Sequence, residues 1–382
     1  MKKIAFSGSL DPITNGHLWV IDEARSIAEE VVIFISENPF KKPHFSAKRR
    51  RAIIEQCIVE RAWKNVCVIL VKGDYTARAA KRHGCKYLIR GIRNNADFDY
   101  ENLLQQANVD VLQGAKTVFV MPPRDLGSVS SSFVRGLQGP VGWHWNMQQF
   151  IPKPAYAAWI LDWLHRDWLS LWRHDPADAR AIEEANRWFE YLTGESAYGA
   201  HLRRYHNLDH LVHGLTEIGV WAANTEASQA DIDTLKKAFW FHDAVYGVRE
   251  GVEIGGLSNE EASARLWLEV QLDIEDRENV ASLIRATDHL QRNTISHPLK
   301  DVMLGADLAI LGQAQNTYDR YALDIRAEYP SADDETYRTN RRRVLMHFLE
   351  RAKSHELYAD PYFSERYVES ATKNMLREIA GL

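Results

Sequence analysis

A glycine-containing loop near the start of the chain has residue types suited to binding a phosphate. The loop covers residues 7–17 and reads SGSLDPITNGH, and a helical pattern begins near Gly16. Small residues let a phosphate approach the backbone, and free N–H groups at a helix start attract an anion. His17 can donate a hydrogen bond to a phosphate oxygen as charge builds on it. The loop has neither GxxxxGK[ST] nor GxGxxG, so it is neither a P-loop nor a dinucleotide-binding fingerprint. The alternative interpretation is a Gly-rich turn that is capped by Thr14 and carries a surface histidine.

Three further segments add cations and hydroxyl groups, and each follows a run that reads as a β-strand. In open α/β sheets, ligands bind outside the carboxyl ends of the strands, so we expect these segments to share one rim with the glycine loop. Such a rim has chemistry suited to a polyphosphate. The side chains concerned are Lys41, Lys42, Arg90, Arg93, Ser130, Ser131 and Ser132.

The second half of the chain has a separate set of metal-binding residue types. His206 and His210 are four residues apart and share a face if the segment is helical. His242 and Asp243 are adjacent at the end of an apolar helix, and Asp307 is one carboxylate in an apolar run. A buried lone carboxylate is costly unless it is paired or bound to a metal. A mixed imidazole–carboxylate set suits Mn²⁺, Fe, Co²⁺, Ni²⁺ or Zn²⁺ better than Mg²⁺ alone, and such an ion supplies hydroxide and polarises a phosphoryl group.

The elements that position the first set follow an alternating pattern. Short β-rich runs occur at residues 3–6, 31–36, 66–71, 87–89 and 117–121, with amphipathic stretches such as 18–30 and 47–62 between them. Five strands with intervening helices predict a Rossmann-like parallel sheet with right-handed crossovers, hence an α/β domain.

The elements that position the second set are helical almost throughout. Helical patterns cover residues 157–172, 177–193, 232–242, 259–272, 277–289 and 335–354, and a Pro-containing connector precedes them at residues 151–154. Ten of the 12 Trp and 12 of the 15 His lie after residue 140. We therefore predict an α/β domain at residues 1–156 and an all-α domain at residues 157–382.

Composition narrows the function classes. The formal net charge of −5, from 47 basic and 52 acidic residues, disfavours broad nucleic-acid binding. The three cysteines have no CxxC spacing, which favours a reducing cytoplasm over a disulfide framework or a thiolate zinc site. The longest apolar runs are far below the ~20 residues that cross a bilayer, and the start lacks the apolar region of a signal peptide. These features predict a soluble cytoplasmic protein with no membrane or nucleic-acid partner.

Residues 3–155 resemble the phosphopantetheine adenylyltransferases, which belong to the nucleotidyltransferase superfamily with the [T/H]xGH motif. The resemblance rests on TNGH, ENPFKKP, RGIRNNADFDYE, FVMPP, SSS and QFIP, in that order. It implies transfer of AMP from ATP to 4′-phosphopantetheine, giving dephospho-CoA and pyrophosphate with Mg²⁺. It also implies homo-oligomers built through the first domain.

The resemblance assigns roles residue by residue. It implies that His17 stabilises the transition state at the α-phosphate and that Lys41 and Arg90 hold the phosphates. The residues that it assigns to nucleotide or acceptor binding are Ser9, Lys42, Asp74, Tyr75, Thr76, Arg93, Glu101, Ser130, Ser131 and Ser132.

Some positions depart from the family pattern. Leu10 and Leu126 stand where the family has aromatic residues, and Tyr75-Thr76 replaces the apolar pair of the pantetheine pocket. The ATP half is nearly intact and the acceptor half is altered. One alternative is therefore another phosphorylated acceptor, such as nicotinamide mononucleotide. A second alternative is a nucleotide-binding regulatory domain that controls the helical one.

Residues 170–380 resemble the HD-domain metal-dependent phosphohydrolases, through RxYHNxxH, FHDxVY, NExxSA and DLAILG segments. The resemblance implies that His242, Asp243, Asp307 and either His206 or His210 are metal ligands. Asn259, Glu260 and Ser263 are candidate second-layer or substrate residues, and a metal-free scaffold is the alternative. The four arginines in residues 338–343 favour a solvated helix face over an anion site.

Overall fold

Two units, Met1–Trp159 and Ile160–Leu382, divide the chain, with the boundary inside one long helix. The computed structural model describes residues 1–36, 42–172, 179–247, 256–272, 276–289 and 295–382. Within these ranges, no helix is both long enough and apolar enough to cross a membrane.

The first unit is built on five parallel strands, which confirms the predicted parallel sheet, and the structure gives their order as β3-β2-β1-β4-β5. Phe6 in the central strand pairs with Ile33 on one side and Ile89 on the other, and all three are buried. The strand order reverses between β1 and β4. The strands are β1 (Lys3–Gly8), β2 (Glu30–Ser36), β3 (Val66–Val71), β4 (Tyr87–Gly91) and β5 (Lys116–Val120).

Helices follow the strands, and polar caps fix where several of them begin. Thr14, Ser46, Asn94 and Ser130 each accept a backbone N–H at the N-terminus of the next helix, which satisfies a donor that the helix leaves free. A π-helical turn, Ala107–Val111, extends α4 and is not apparent in the sequence pattern. The helices are α1 (Asn15–Ile27), α2 (Ala47–Glu60), α3 (Thr76–Arg82), α4 (Asn95–Gln106), α5 (Ser131–Gly136), α6 (Trp143–Gln148) and α7 (Lys153–Leu171).

The second unit is helical, which confirms the predicted helical remainder. A short 3₁₀ helix, Ala309–Gly312, joins two of its helices. The α-helices are α8 (Ala179–Thr193), α9 (Leu208–Ala223), α10 (Gln229–Phe241), α11 (Asn259–Leu268), α12 (Arg277–Ala286), α13 (Lys300–Leu308), α14 (Gln315–Glu328), α15 (Asp334–Lys353) and α16 (Pro361–Gly381).

A glycine lets α9 and α10 approach closely. A Cβ atom at Gly214 would collide with the ring of Phe239, so only glycine allows this packing. Gly214 lies one turn after His210, and Phe239 lies three residues before His242. The close approach therefore brings the two histidines together.

Candidate functional sites

A cleft of about 330 Å³ lies at the carboxyl ends of β1 and β4, where the strand order reverses. Open α/β sheets bind ligands at this position. The structure brings together residues from three of the four predicted segments here. The cleft is lined by Ser9, His17, Arg90, Arg93, Glu101, Ser130, Ser131 and Ser132, among others.

The protonation state of His17 follows from its contacts. The Thr14 backbone N–H donates to His17 Nδ1 at 3.0 Å, and the Thr14 hydroxyl lies 2.9 Å from the same atom. The two residues form a capping box at the start of α1. Burial and the nearby Arg90 and Arg93 guanidinium groups lower the pKa of His17 to about 4. The ring is therefore neutral at pH 7, and its proton is on Nε2 because Nδ1 is an acceptor.

Both arginines of the cleft have carboxylate partners. Arg90 forms a two-pronged ion pair with Glu101, with Nε to Oε2 at 2.9 Å, and also donates to the Ser7 carbonyl. Arg93 pairs with Asp97 through Nε at 2.7 Å and Nη2 at 3.0 Å. The Arg93 guanidinium lowers the pKa of Asp97. The two ion pairs hold the Arg90 and Arg93 guanidinium groups in place at the cleft. In this structure the partner of the Glu101 carboxylate is therefore Arg90.

Buried polar groups that sequence analysis missed anchor the glycine loop. Asp11 accepts the backbone N–H groups of His44 and Phe45 at 2.6 and 3.0 Å. Arg50 is buried and donates to the carbonyls of Ser9 and Phe45. Asp11 was a signal in the sequence, because an acidic residue is unexpected in a predicted phosphate-binding loop. The partners of Arg50 on α2 could not be predicted from helical periodicity.

The serine run has a different function at each position. Ser130 caps α5 by accepting the Phe133 N–H at 3.1 Å. Ser131 donates to the Pro12 carbonyl at 2.8 Å, which ties the run to the glycine loop. Ser132 accepts from Arg135 at 3.1 Å.

Some predicted residues do not line this cleft. Lys41 lies outside the described residues, and Lys42 is exposed. Residues 74–76 follow β3, and Asp74 accepts the Tyr75 N–H at 2.8 Å and pairs with Arg82 at 2.6 Å. The Tyr75 side chain is 61% exposed. Lys42, Asp74, Tyr75 and Thr76 are absent from the described lining of the cleft, so their acceptor contacts stay predictions.

The second unit gathers donor atoms from α9, the end of α10, and α13. His210, His242 and Asp307 each offer one ligand atom, and these atoms lie within 4.8 Å of one another. The Nε2 atoms of the two histidines are 3.1 Å apart. Asp307 Oδ1 lies 3.4 Å from each, and Asp243 Oδ2 lies 3.1 Å from His242 Nε2. The arrangement brings together four of the five predicted ligands.

The Asp243 and Asp307 carboxylates of this cluster need a positive charge beside them. His242 Nδ1 lies 2.8 Å from the Phe239 carbonyl, which orients the lone pair of its Nε2 toward the cluster. Burial opposes protonation, but Asp243 and Asp307 raise the pKa of His242 well above its ordinary value. Burial and the adjacent His242 lower the pKa of His210 to about 3. A proton on His242 satisfies the carboxylates, and a divalent cation would do so with all four donors.

His206, the fifth predicted ligand, has a different partner. Its Nδ1 lies 2.6 Å from Glu328 Oε2, and its ring stacks on Tyr246 with centroids 4.0 Å apart. Glu328 is buried and also accepts the N–H groups of Arg204, Tyr205 and His206 at 2.7 to 3.0 Å. The structure thus groups His210, and not His206, with the other donor atoms. Glu328 is 122 residues away in sequence, and no local pattern pointed to it.

Several side chains hold the segment around Asp243. Arg203 is buried and donates to the carbonyls of Asp243 and Ala244 at 2.6 and 2.9 Å. Ser263 exchanges hydrogen bonds with the backbone of Val245 at 3.0 and 3.2 Å. Asn259 accepts the Gly247 N–H at 3.0 Å. In this structure Ser263 and Asn259 therefore support the segment that carries Asp243.

A cavity of about 380 Å³ opens beside the donor atoms and is lined by Asp243, Glu260, His289 and Asp307. Arg341 also lines it, although the arginine run was predicted to be a solvated face. Arg341 is buried and forms a two-pronged ion pair with Glu378 at 2.7 and 3.1 Å. The prediction is therefore wrong for this arginine, because its partner lies on another helix.

The fold and the first cleft define an α/β protein with a cleft suited to a phosphate group at the reversal point of a parallel sheet. The cytidylyltransferase-like family matches residues 5–137. The phosphopantetheine adenylyltransferase of Chromobacterium violaceum is 36% identical over 160 residues, 42% of this chain and 96% of that protein. That of Streptococcus agalactiae serotype Ia is 36% identical over 152 residues, 40% of this chain and 91% of that protein. The chain belongs to the phosphopantetheine adenylyltransferase family.

A solved structure of Plasmodium falciparum nicotinic acid mononucleotide adenylyltransferase complexed with NaAD is also similar. It is 16% identical with a TM-score of 0.33, and the match covers 43% of this chain and 96% of that one. This likeness is too low to inform the choice of acceptor. The family match ends at residue 137, so the helical unit is interpreted from its own geometry.

Proposed function

We propose that the first unit transfers AMP from ATP to 4′-phosphopantetheine. A phosphate oxygen of the acceptor attacks the α-phosphorus of ATP, the bond to the β-phosphate bridging oxygen breaks, and pyrophosphate leaves. The observation that carries the proposal is the neutral His17, whose Nδ1 accepts the Thr14 N–H and whose Nε2–H has no hydrogen-bond partner among the described residues and can donate to the α-phosphate. Family membership supports the choice of substrates.

The other side chains of the cleft act by position and charge. Arg90, held by Glu101 and the Ser7 carbonyl, presents a fixed guanidinium to the triphosphate. The start of α5 at Ser131 lies at the same cleft, and free backbone N–H groups at a helix start attract an anion. Mg²⁺ bound to ATP would neutralise part of the phosphate charge. Catalysis then rests on alignment and charge stabilisation, with no covalent enzyme intermediate.

The test is pyrophosphate release from ATP and Mg²⁺ with separate phosphorylated acceptors. We expect 4′-phosphopantetheine to support release and nicotinamide mononucleotide to support little. Pyrophosphate release with nicotinamide mononucleotide but not with 4′-phosphopantetheine would show that nicotinamide mononucleotide is the acceptor. ATP binding without release for any acceptor would instead favour a regulatory domain, which the altered acceptor positions motivate. His17 opposes that alternative, since a sensor does not need a transition-state donor.

The altered acceptor positions give a second prediction. Tyr75 and Thr76 replace an apolar pair, so the double variant Tyr75→Leu/Thr76→Met should lower the KM for 4′-phosphopantetheine. Gaining apolar contact of one or two methylene groups corresponds to roughly 5- to 20-fold. The KM for ATP should not change, which steady-state kinetics with each substrate varied in turn will show. An unchanged KM for 4′-phosphopantetheine would show that Tyr75 and Thr76 do not belong to the acceptor pocket.

We further propose that the helical unit is a metal-dependent phosphohydrolase of the HD type. The observation that carries this proposal is the convergence of His210, His242, Asp243 and Asp307 beside an open cavity. The fit is chemical: two buried imidazole nitrogens lie 3.1 Å apart among carboxylate oxygens, an arrangement that favours a divalent transition metal. Such an ion, when bound, acidifies a water and polarises a phosphoryl oxygen.

The residues of this unit hold and orient that centre. Phe239 fixes the His242 ring through its carbonyl, and Arg203 and Ser263 fix the backbone from Asp243 to Val245. The reaction cleaves the P–O bond of a phosphate ester with one water and gives an alcohol and phosphate. Metal analysis of the purified full chain, with phosphate release from esters in Mn²⁺, tests the proposal. A chain without bound metal that releases no phosphate would favour a metal-free scaffold.

A further inference from the structure

Glu217, a buried glutamate on α9, takes no part in either proposed activity. It lies seven residues after His210, about two turns along the same helix. Its Oε1 atom accepts the Tyr367 hydroxyl at 2.6 Å and the Gln313 Nε2–H at 3.3 Å, and His213 Nε2 lies 3.3 Å away. Burying a carboxyl group is costly unless donors surround it, so these contacts indicate a point that the fold holds in place.

The contacts of Glu217 join the elements that position the metal-binding residues. The first element is α9, which carries His210. The second is the segment of Gln313, which directly follows the 3₁₀ helix that begins two residues after Asp307. The third is α16, through Tyr367. One carboxyl group therefore ties the helix of one metal-binding residue to the segment behind another.

Side chains of α16 also hold the 3₁₀ helix and the residue that follows it. Ser370 donates to the Gly312 carbonyl at 2.7 Å. Asn374, which is buried, donates to the Leu311 and Gln313 carbonyls at 3.0 and 2.9 Å. Carbonyls at the end of a helix have no partner within it, so bonds from another helix satisfy them. The helix α16 therefore fixes the path of the chain after the metal-binding residue of α13.

Two glycines let α16 approach the chain on both sides of Asp307. A Cβ atom at Gly305, two residues before Asp307, would lie 2.4 Å from the Phe363 ring. A Cβ atom at Gly312, five residues after Asp307, would lie 2.5 Å from the Tyr367 side chain. Contacts this short leave no room for a larger residue, so the backbone around Asp307 packs directly on α16. A shift of α16 would therefore displace Asp307.

We propose that α16 sets the geometry of the metal centre and that Tyr367 is its positioning residue, acting through Glu217 and Gln313. The inference rests on the proposed phosphohydrolase function. Tyr367 is not among the described residues that line the cavity. Its hydroxyl instead holds α9 against the segment behind Asp307, which maintains the 3.4 Å separation between His210 Nε2 and Asp307 Oδ1.

The experiment measures the Kd for Mn²⁺ by calorimetry, and phosphate release from p-nitrophenyl phosphate at a limiting Mn²⁺ concentration, with the full chain. Tyr367→Phe keeps the ring that packs on Gly312 and removes only the hydroxyl. We expect the Kd for Mn²⁺ to rise about 3- to 10-fold, less than the roughly 10- to 100-fold typical of a residue that bonds a metal ligand directly. Phosphate release should fall in proportion.

Variants of Glu217 test the same contact from its other side. Glu217→Gln keeps an oxygen that accepts the Tyr367 hydroxyl, so the Kd for Mn²⁺ should stay within about 2-fold of wild type. Glu217→Leu removes the acceptor and should raise the Kd at least as much as Tyr367→Phe. Adding Tyr367→Phe to Glu217→Leu should raise the Kd no further, because the two residues act through one contact. A further rise in the double variant would show that Tyr367 does not act through Glu217.

Tyr318→Phe is the matched control for lost stability. Tyr318 is also a buried tyrosine whose hydroxyl donates to a glutamate, Glu378 of α16, at 2.5 Å, and it is not among the described residues that line the cavity. Each variant loses one tyrosine–glutamate hydrogen bond, so both should lower the urea midpoint of unfolding by similar amounts. The Kd for Mn²⁺ should rise in Tyr367→Phe and stay at the wild-type value in Tyr318→Phe.

The other outcomes separate the positioning role from the hydrolase. An unchanged Kd in Tyr367→Phe, or an equal rise in Tyr318→Phe, would overturn the positioning role and leave the hydrolase intact. Mn²⁺ binding without phosphate release would count against the hydrolase, and the Kd values alone would then decide the positioning role. A wild-type chain that neither binds Mn²⁺ nor releases phosphate would reject both.

Discussion

Replacing His17 with alanine is expected to lower kcat for AMP transfer about 100- to 1000-fold, the range for removal of one donor to a developing oxyanion. The imidazole is neutral and its proton is on Nε2, because Nδ1 accepts the Thr14 N–H. Its hydrogen bond strengthens as charge builds on the α-phosphate. The Kd for ATP should therefore change far less than kcat, which calorimetry and single-turnover kinetics will separate.

The capping role of His17 needs a separate control, because alanine also removes the acceptor for the Thr14 N–H. His17→Glu keeps an acceptor at the third helical position, where Glu completes a capping box, but has no donor. Alanine should lower the free energy of unfolding by about 1 kcal/mol, and glutamate should restore most of it. Both should be equally poor in AMP transfer. Recovery of activity in His17→Glu would show that the residue acts only through the helix start.

The pKa of His17 also predicts a pH dependence. The folded value of about 4 is below the ordinary value of 6.5, so folding disfavours the protonated ring. The stability linked to this group is fully present above pH 6.5 and is lost as the pH falls toward 4. AMP transfer should show no titration of His17 between pH 6 and 9, where the neutral ring persists.

The sequence was sufficient for the sheet because its signal is local. β-rich runs of three to six residues alternate with amphipathic stretches, and β2 and β3 begin within a residue of where the pattern placed them. Boundaries were less accurate where a cap decides them. The amphipathic stretch at 18–30 covers only part of α1, which begins at Asn15, near the predicted start at Gly16, and ends at Ile27; Thr14 and His17 close a capping box ahead of the apolar pattern.

The side-chain partners could not be predicted, because they join distant parts of the chain. His206 has the spacing of a ligand, but it pairs with Glu328 on α14. Arg341 lies in a charged run typical of an exposed face, but Glu378 on α16 makes an ion pair with it inside the unit. Helical periodicity gives the face of a residue and not the partner that another helix places opposite.

Replacing Asp307 with asparagine is expected to abolish metal binding and to lower phosphate release more than about 100-fold. Even residues that only support a metal ligand commonly cost 10- to 100-fold. Asp307 Oδ1 lies 3.4 Å from the Nε2 atoms of both His210 and His242, and Oδ2 lies 2.7 Å from His289 Nε2. Asparagine keeps the size of the Asp307 side chain but lacks the negative charge that the donor cluster shares. Asp243→Asn should have the same effect, since its carboxylate is the second anion of the group.

Asp301→Asn is the matched control, because Asp301 is an exposed carboxylate on the same helix, α13. It should keep wild-type metal content and phosphate release. Metal bound only by the folded state raises Tm, so Mn²⁺ should stabilise wild type and Asp301→Asn but not Asp307→Asn. AMP transfer should stay near wild type in all three, because its residues belong to the other unit. Retained metal and phosphate release in Asp307→Asn would reject the site, whereas loss of AMP transfer would show that the two activities are coupled.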